Sequence, residues 1–430
     1  MTKIEFSDKR LKEKYYKLRH KSGLDIYVFP KKLTSSYAVF GTEYGSVDNC
    51  FRLKGEVEYT TVPDGIAHYL EHRMFTQKDG SDITERFSEC GADSNAYTSL
   101  NKTVYLCSST DDFEGALQAL LEFVTEPNFT KELVEKERGI IIQEIKMTDD
   151  SPYSRGYRLL LEAMYETNSA RVDIAGTVES VSQITADMLN KCYKTFYNPN
   201  NMAVVVCGDI PPKSVMEIAN KAIPDDFVGA EIERLYSYDE PDEVYKVLVE
   251  DFMEVSKPIF TIGVKDNVIV ADNRERMKKF AEMAVLCELV FSRSGELYNY
   301  LFENGKITPD FSASYTTSKT FAFTLIAGEA DEPVEVLEYI KNHIKGFTYT
   351  SDDLDRCKRV LYAEFVMDFD STEEIANNMI DYIFEGFDLF DYGELIETVT
   401  KEDVDRLLAT MFKDEHFAMS VIYPLEKERK

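Results

Sequence analysis

The sequence predicts an α+β protein of two homologous halves, each an α/β roll in which helices pack on an antiparallel sheet, facing a central cavity. The length of 430 residues exceeds the usual size of a single core and suffices for two domains. Strand and helix patterns then occur in the same order in both parts of the chain. Layers of this kind commonly pack face to face, which places the expected site between the halves.

The first half, residues 1–222, alternates β-branched and aromatic runs with segments whose apolar residues recur every three or four positions. The runs predict strands, and the recurring spacing predicts helices. In chain order these are strands Leu24 to Phe29 and Tyr37 to Tyr44, a helix Gly65 to Phe75, a strand Thr103 to Ser108, helices Phe113 to Val124, Lys131 to Met147 and Thr185 to Phe196, and a strand Met202 to Cys207.

A linker is predicted at residues 223–244, where Pro224-Asp225-Asp226 and the absence of any sustained period favour irregular structure. The second half, residues 245–430, repeats the earlier order. Turn motifs recur as well, because Thr98-Ser99 is followed closely by Lys102-Thr103 just as Thr317-Ser318 is by Lys319-Thr320. Its main predicted elements are strands Val247 to Phe252 and Ile259 to Val264, a helix Asn273 to Phe291 and a strand Phe417 to Ile422.

The composition excludes several classes of partner. Acidic residues outnumber basic residues 78 to 49, and the net charge of −29 repels nucleic acid and anionic membranes. Solubility explains this charge, and an acidic chamber that favours cationic peptides is the alternative. The N-terminus resembles no secretory signal, and the seven scattered cysteines are typical of reduced thiols, so we expect a cytoplasmic protein.

Chemistry is indicated by His68-Tyr69-Leu70-Glu71-His72. Residues four apart share a helix face, so both imidazoles can reach one metal ion, and only five histidines occur in the chain. Glu71 lies close enough to the same face to hold the attacking water beside the metal. This order inverts the familiar His-Glu-x-x-His arrangement. A structural zinc site fits poorly, because such sites usually have four Cys or His ligands and no cysteine neighbours the motif.

A hydrolytic zinc site needs a third protein ligand. The predicted helix Lys131 to Met147 offers Glu137 and Glu144, which lie two turns apart and share a face. Glu144 stands among isoleucines, where a carboxylate is costly to bury without a cation or a donor. Spacing alone leaves Glu135, Glu137 or an aspartate open as the ligand, and a solvated helix face open for Glu137. The remaining histidines, which we expect to be structural or on the surface, are His20, His343 and His416.

These residues resemble the inverzincin metallopeptidases, the group that includes pitrilysin, insulin-degrading enzyme and the mitochondrial processing peptidase β subunit. The resemblance includes Gly65 to His72 followed by Phe75, then Asn95-Ala96-Tyr97-Thr98-Ser99, then Glu137 and Glu144, and it extends from about Leu24 to Ile422. It implies one Zn²⁺ per chain, bound in the first half only. The implied roles are zinc ligands for His68, His72 and Glu144, catalytic base for Glu71, support of the catalytic site for Glu137, and peptide binding along an edge strand for Asn95, Ala96 and Tyr97.

One departure from the family concerns the second half. Complete members carry an Arg and a Tyr that grip the substrate, and Phe302 and Pro309 occupy those positions here. The resemblance therefore implies a homologous partner subunit, in a heterodimer, that supplies the missing groups for cleavage of short or unfolded peptides. A homodimer is the other assembly that we consider. The alternative is a non-catalytic subunit that binds a peptide or assembles a processing-peptidase-like complex. The intact His, Glu, His and Glu set favours the peptidase.

Overall fold

The computed structural model describes residues 3–77, 80–236 and 239–425. Within these ranges the strands are β1 (Lys3–Asp8), β2 (Glu13–Arg19), β3 (Asp25–Pro30), β4 (Ser36–Thr42), β5 (Cys50–Leu53), β6 (Thr60–Thr61), β7 (Ala92–Thr98), β8 (Thr103–Ser109), β9 (Met202–Gly208), β10 (Ile232–Arg234), β11 (Leu248–Met253), β12 (Ile259–Lys265), β13 (Ser312–Thr317), β14 (Ala322–Glu329) and β15 (Phe417–Pro424).

The α-helices are α1 (Ile66–Met74), α2 (Ile83–Glu89), α3 (Phe113–Thr125), α4 (Lys131–Asp149), α5 (Pro152–Met164), α6 (Val178–Ser182), α7 (Ala186–Phe196), α8 (Pro212–Ala222), α9 (Asn273–Phe291), α10 (Glu296–Glu303), α11 (Pro333–Lys345), α12 (Ser351–Asp368), α13 (Thr372–Glu385), α14 (Asp391–Thr398) and α15 (Lys401–Met411). Short 3₁₀ helices lie at Ser169–Arg171 and Asp414–His416. None of the described helices combines the length and the apolar composition needed to cross a bilayer.

The first large sheet has the strand order β1-β2-β3-β9-β4-β8-β7. Strand β3 runs parallel to β9, and the other pairs are antiparallel. Strand β9 is buried at every position, as expected for a central strand covered on both faces. Strand β7 lies at one end of the sheet, so one of its edges is free of sheet pairing among the described residues.

The second large sheet has the order β11-β15-β12-β14-β13, again with one parallel pair, β11 with β15, and three antiparallel pairs. The order matches β3-β9-β4-β8-β7 strand for strand. The sequence-predicted α+β fold with two homologous halves is therefore confirmed. The central cavity stays a prediction.

Each compact unit of the chain includes one helix that is distant in sequence from most of that unit. One unit comprises residues 1–145, 173–236 and 366–390, and the other comprises 146–172, 237–365 and 391–430. Helix α13, from late in the chain, packs on β4 and β9 of the first unit, whereas α5 packs on β12 and β15 of the second. The predicted domain boundaries, which divide the chain into two contiguous halves, stay a prediction. The two compact units are each discontinuous in sequence.

The predicted linker contains one ordered element. Strand β10 pairs with β5, which in turn pairs with β6, in a small sheet of the first unit. A three-residue strand is too short to show a sequence period, which explains why the segment reads as irregular. Ser237 and Tyr238 of the linker lie outside the described residues.

Candidate metal centre

Helix α1 begins at Gly65, whose φ of 86° lies in the left-handed region that glycine tolerates. A Cβ at this position would lie 2.4 Å from the carbonyl oxygen of Ala175, so the close approach of the two segments also requires glycine. From this start the helix places His68, Glu71 and His72 within two turns. The ring centroids of His68 and His72 are 4.6 Å apart, as their four-residue spacing predicts.

Helix α4 supplies the carboxylates. The Tyr69 hydroxyl donates a hydrogen bond to the carbonyl of Val134, which ties α1 to the first turn of α4. Glu137 and Glu144 lie on the side of α4 that faces α1, because their side chains contact the histidines directly. The interpretation of Glu137 as part of a solvated helix face is wrong, since only 13% of its side chain is exposed.

The structure brings His68, His72 and Glu144 together, with one potential ligand atom from each within 4.8 Å of the others. The Nε2 of His68 lies 3.5 Å from Oε1 of Glu144, and the Nε2 of His72 lies 3.1 Å from its Oε2. Tetrahedral zinc with ordinary bond lengths has ligand-to-ligand edges of about 3.3 to 3.6 Å. Each imidazole nitrogen lies at such a separation from one of the two oxygens of Glu144, so two histidines and one carboxylate fit as zinc ligands and leave a fourth position open.

The electrostatics of this cluster favour a cation. Hydrogen bonds from His68 and His72 hold the pKa of Glu144 far below its usual range, so it is ionised, as a ligand must be. In the metal-free chain burial lowers the pKa of His72, but Glu137 and Glu144 outweigh burial and raise it to about 10. The two carboxylates beside His72 thus favour positive charge at this cluster.

Glu137 lies behind His72 as seen from Glu144. Its Oε1 is 3.3 Å from Nδ1 of His72, and its Oε2 is 3.4 Å from the guanidinium of Arg73. A carboxylate in this position fixes which ring nitrogen carries the proton, leaving Nε2 for a metal. Arg73 is 1% exposed and also donates to Thr76 and to the carbonyl of Asn128.

Glu71 lies beside the cluster without taking part in the group of three. It is 7% exposed, and burial raises its pKa, although His68 and Thr98 lower it. The hydroxyl of Thr98 donates to its Oε2 over 2.6 Å. A buried carboxylate with a raised pKa beside a metal-type ligand set has the properties of a general base.

Asn95, Ala96 and Tyr97 lie on β7, at the free end of the first sheet. The backbone N–H of Ala96 bonds to the Asn95 side chain at 2.9 Å, which shows that this donor points away from β8. The geometry allows an added strand along this edge. Peptide binding by the three residues stays a prediction.

The other histidines lie apart from the cluster, as expected from the sequence. His20 bonds to Ser22, and His416 bonds to the carbonyl of Met411. His343 stacks on Tyr339. Among the described residues the second half has no comparable group of three ligands. One Zn²⁺ per chain stays a prediction.

Both the sequence and the fold of this chain match known proteins. Residues 55–178 match the model of the insulinase family, peptidase family M16, and residues 183–361 match the peptidase M16 inactive domain. An uncharacterized zinc protease of Bacillus subtilis, YmfH, is 37% identical over 420 residues, covering 96% of this chain and 98% of that protein. The chain belongs to the insulinase family of peptidases.

Other insulinase-family proteins agree over most of their length. A crystal structure of an M16-like peptidase from Alicyclobacillus acidocaldarius matches with a TM-score of 0.90 and 32% identity, covering 95% of this chain and 98% of that one. The probable β subunit of the mitochondrial processing peptidase of Schizosaccharomyces pombe is 24% identical and covers 85% of this chain and 84% of that protein. The insulinase family predicted from the motif is therefore confirmed, and zinc appears in the names of its relatives.

Two residues of the site escaped the sequence analysis. Arg73 follows His72 directly, but nothing in its spacing shows that it is buried against Glu137. Thr98 belongs to the motif Asn95 to Ser99, yet 27 positions separate it from Glu71, so no helix or strand period links the two. A hydroxyl residue at the end of a strand inside a family motif was the available signal.

Proposed function

We propose that this insulinase-family chain is a zinc endopeptidase subunit that hydrolyses short or unfolded peptides, with Glu71 as the catalytic base. The observation that carries the proposal is the pairing of a three-residue ligand set with a separate buried carboxylate. A chain retained only for binding has no use for Glu71 in that position.

His68, His72 and Glu144 would hold one Zn²⁺. When bound, the ion supplies Lewis acidity and lowers the pKa of water. Glu71 accepts a proton from the water that attacks the peptide carbonyl and then passes it to the leaving amine. Glu137 keeps His72 oriented through Nδ1, and the buried Arg73 contacts the other oxygen of Glu137. The edge of β7 holds the peptide as an added strand through Asn95, Ala96 and Tyr97, which gives affinity with little sequence preference.

A partner subunit is part of this proposal. Phe302 lies in the last turn of α10, and Pro309 lies in the segment after the helix. These two positions are where complete relatives carry the substrate-gripping Arg and Tyr. Neither a phenylalanine nor a proline side chain can donate a hydrogen bond to a carbonyl. Phe302 is 43% exposed, so it does not serve as a core residue in place of the arginine. A homologous but different subunit would supply the missing donors in a heterodimer. A homodimer is the alternative assembly, and both of its copies would carry Phe302 and Pro309. The cytoplasmic location and a preference for cationic peptides stay predictions.

A non-catalytic binding or assembly subunit is the second candidate, and the same two positions favour it. The two candidates differ in the need for Glu71. The first experiment incubates the chain, with and without a candidate partner, with a library of unfolded peptides and measures bound zinc in parallel.

Glu71→Gln keeps the size of the side chain and removes the base. We expect wild-type chain to cleave peptides in a chelator-sensitive reaction and Glu71→Gln to retain zinc while losing at least 1,000-fold in kcat, on the order of the losses seen for essential acid–base groups. Glu135→Gln, an exposed glutamate of α4, is the control and should match wild type. Zinc without cleavage under every condition would favour the binding subunit.

A further inference from the structure

The hydroxyl of Thr98 makes a short hydrogen bond with the carboxylate of Glu71. It donates to Oε2 over 2.6 Å, and the side chain of Glu71 is buried while that of Thr98 is partly buried. A hydrogen bond to an ionised acceptor at this length is among the stronger ones in proteins. Since a carboxylate has two oxygens, holding Oε2 leaves Oε1 as the oxygen available to a water molecule.

A second threonine, Thr103, determines which acceptor receives the hydroxyl proton of Thr98. The Oγ1 of Thr103 lies 3.3 Å from that of Thr98, and Thr103 itself donates to the carbonyl of Tyr44 over 2.8 Å. Because each hydroxyl carries one proton and Thr103 gives its own to Tyr44, Thr98 keeps its proton for Glu71. The pair thus fixes the direction of the contact.

The backbone at Thr98 is held by the tight turn that joins β7 to β8. The N–H of Ser99 bonds to the carbonyl of Lys102 over 2.8 Å, and the Ser99 hydroxyl accepts from the N–H of Lys102 over 3.2 Å. The side chain of Lys102 pairs with Asp381 of α13. A side chain on a backbone fixed in this way has little freedom to move away from Glu71.

We propose that Thr98 is a positioning residue that orients the Glu71 carboxylate toward the reacting water. Thr98 stands three residues after Asn95 on β7, about 10 Å along the strand. The predicted peptide edge and the base are therefore fixed by the same strand. This inference rests on the proposed function of Glu71.

The test compares three variants for zinc content, thermal unfolding, kcat and KM, and for the affinity of the zinc-free chain for a fluorescent uncleavable peptide. Thr98→Val removes the hydroxyl while keeping the shape and the β-branched side chain that suits a strand. Thr98→Ser restores the hydroxyl. Thr317→Val is the matched control, because Thr317 ends β13, the counterpart of β7 in the second half.

We expect Thr98→Val to lower kcat about 10- to 100-fold, the range that corresponds to a hydrogen bond with a charged group, with zinc content, KM and peptide affinity unchanged. Thr98→Ser should recover most of the rate, and Thr317→Val should match wild type. Thr98→Ala serves as a second hydroxyl-free variant if Thr98→Val unfolds or loses zinc.

A hydroxyl-free variant with kcat within twofold of wild type overturns the inference, and so does a loss confined to KM or to peptide affinity. If wild type cleaves peptides, Glu71→Gln does not and Thr98→Val does, only the role of Thr98 fails. If zinc-loaded wild type cleaves nothing, or if Glu71→Gln cleaves normally, the proposed function fails as well.

Discussion

Replacement of Glu137 by glutamine keeps the size of the side chain and removes its charge from two contacts. One is with Nδ1 of His72 at 3.3 Å, and the other is with the guanidinium of Arg73 at 3.4 Å. Arg73 is 1% exposed, so the variant leaves a buried cation without its counter-charge. The bonds of Arg73 to Thr76 and to the carbonyl of Asn128 remain.

Two free energies follow from these contacts. Loss of a carboxylate that orients a ligating histidine weakens metal binding about 10- to 100-fold, or about 1.4 to 2.7 kcal/mol. Removal of one partner of a buried ion pair costs about 3 to 5 kcal/mol. Because Arg73 keeps two hydrogen bonds, we expect a smaller loss in the stability of the first unit, about 2 kcal/mol.

Zinc affinity is measured by competition with a chromophoric chelator at pH 7, and stability is measured by calorimetry on the metal-free chain. The control is Glu135→Gln, on the same helix, whose side chain is 65% exposed. Zinc affinity within twofold of wild type would refute support of His72 by Glu137. If stability alone falls, Glu137 serves only to neutralise Arg73.

Three further outcomes are expected. Burial raises the pKa of Glu240, but Lys265 and three backbone N–H groups outweigh burial and lower it to about 2. The contribution of Glu240 to the stability of the folded chain is therefore present above pH 4.5 and is lost as the pH falls toward 2. Glu240→Gln should therefore cost about 1 to 2 kcal/mol at pH 7 after allowance for solvent screening, with no difference from wild type near pH 2 in thermal unfolding. Gly65→Ala should weaken zinc binding at least tenfold in the same competition assay. The reason is that the left-handed backbone at Gly65 and the nearby carbonyl of Ala175 leave no room for a Cβ without strain in the start of α1. Unchanged zinc affinity would show that this strain does not reach the ligands. Chelation should lower the unfolding temperature of wild type and leave that of a His72→Ala variant unchanged; an equal shift in both would place the stabilising metal elsewhere.

Much of the fold could be predicted because residues close together in the sequence mark each helix or strand. Helix α9 has the predicted bounds, Asn273 to Phe291, since an acidic N-cap and a long periodic segment mark it. Strand β9 was predicted because its apolar run is short and bounded. By contrast, β1 and β2 were missed, because lysines and glutamates interrupt their apolar residues and their strand conformation depends on pairing, β1 with β2 and β2 with β3.

The site likewise combines contacts that residue spacing predicts with contacts that it does not. The helix period brings His68 and His72 together, and the seven-residue spacing brings Glu137 and Glu144 to one face of α4. The contact of Thr98 with Glu71 depends on how β7 lies against α1, which no local period encodes. The packing of α13 on the first sheet likewise depends on contacts between segments far apart in sequence, which local propensities do not determine.

The late position of α13 has a consequence for synthesis of the chain. The first sheet is complete when residue 208 has emerged, whereas the helix that covers β4 and β9 begins at Thr372. At about 5 to 20 residues per second the ribosome needs on the order of ten seconds to add that helix. During this time the surface around Gly41, which later receives Ile380 and Phe384, is exposed to water and to other nascent chains. The newly made chain is therefore a candidate client for chaperones that bind apolar surfaces, and a fragment ending at residue 222 would keep that surface permanently uncovered.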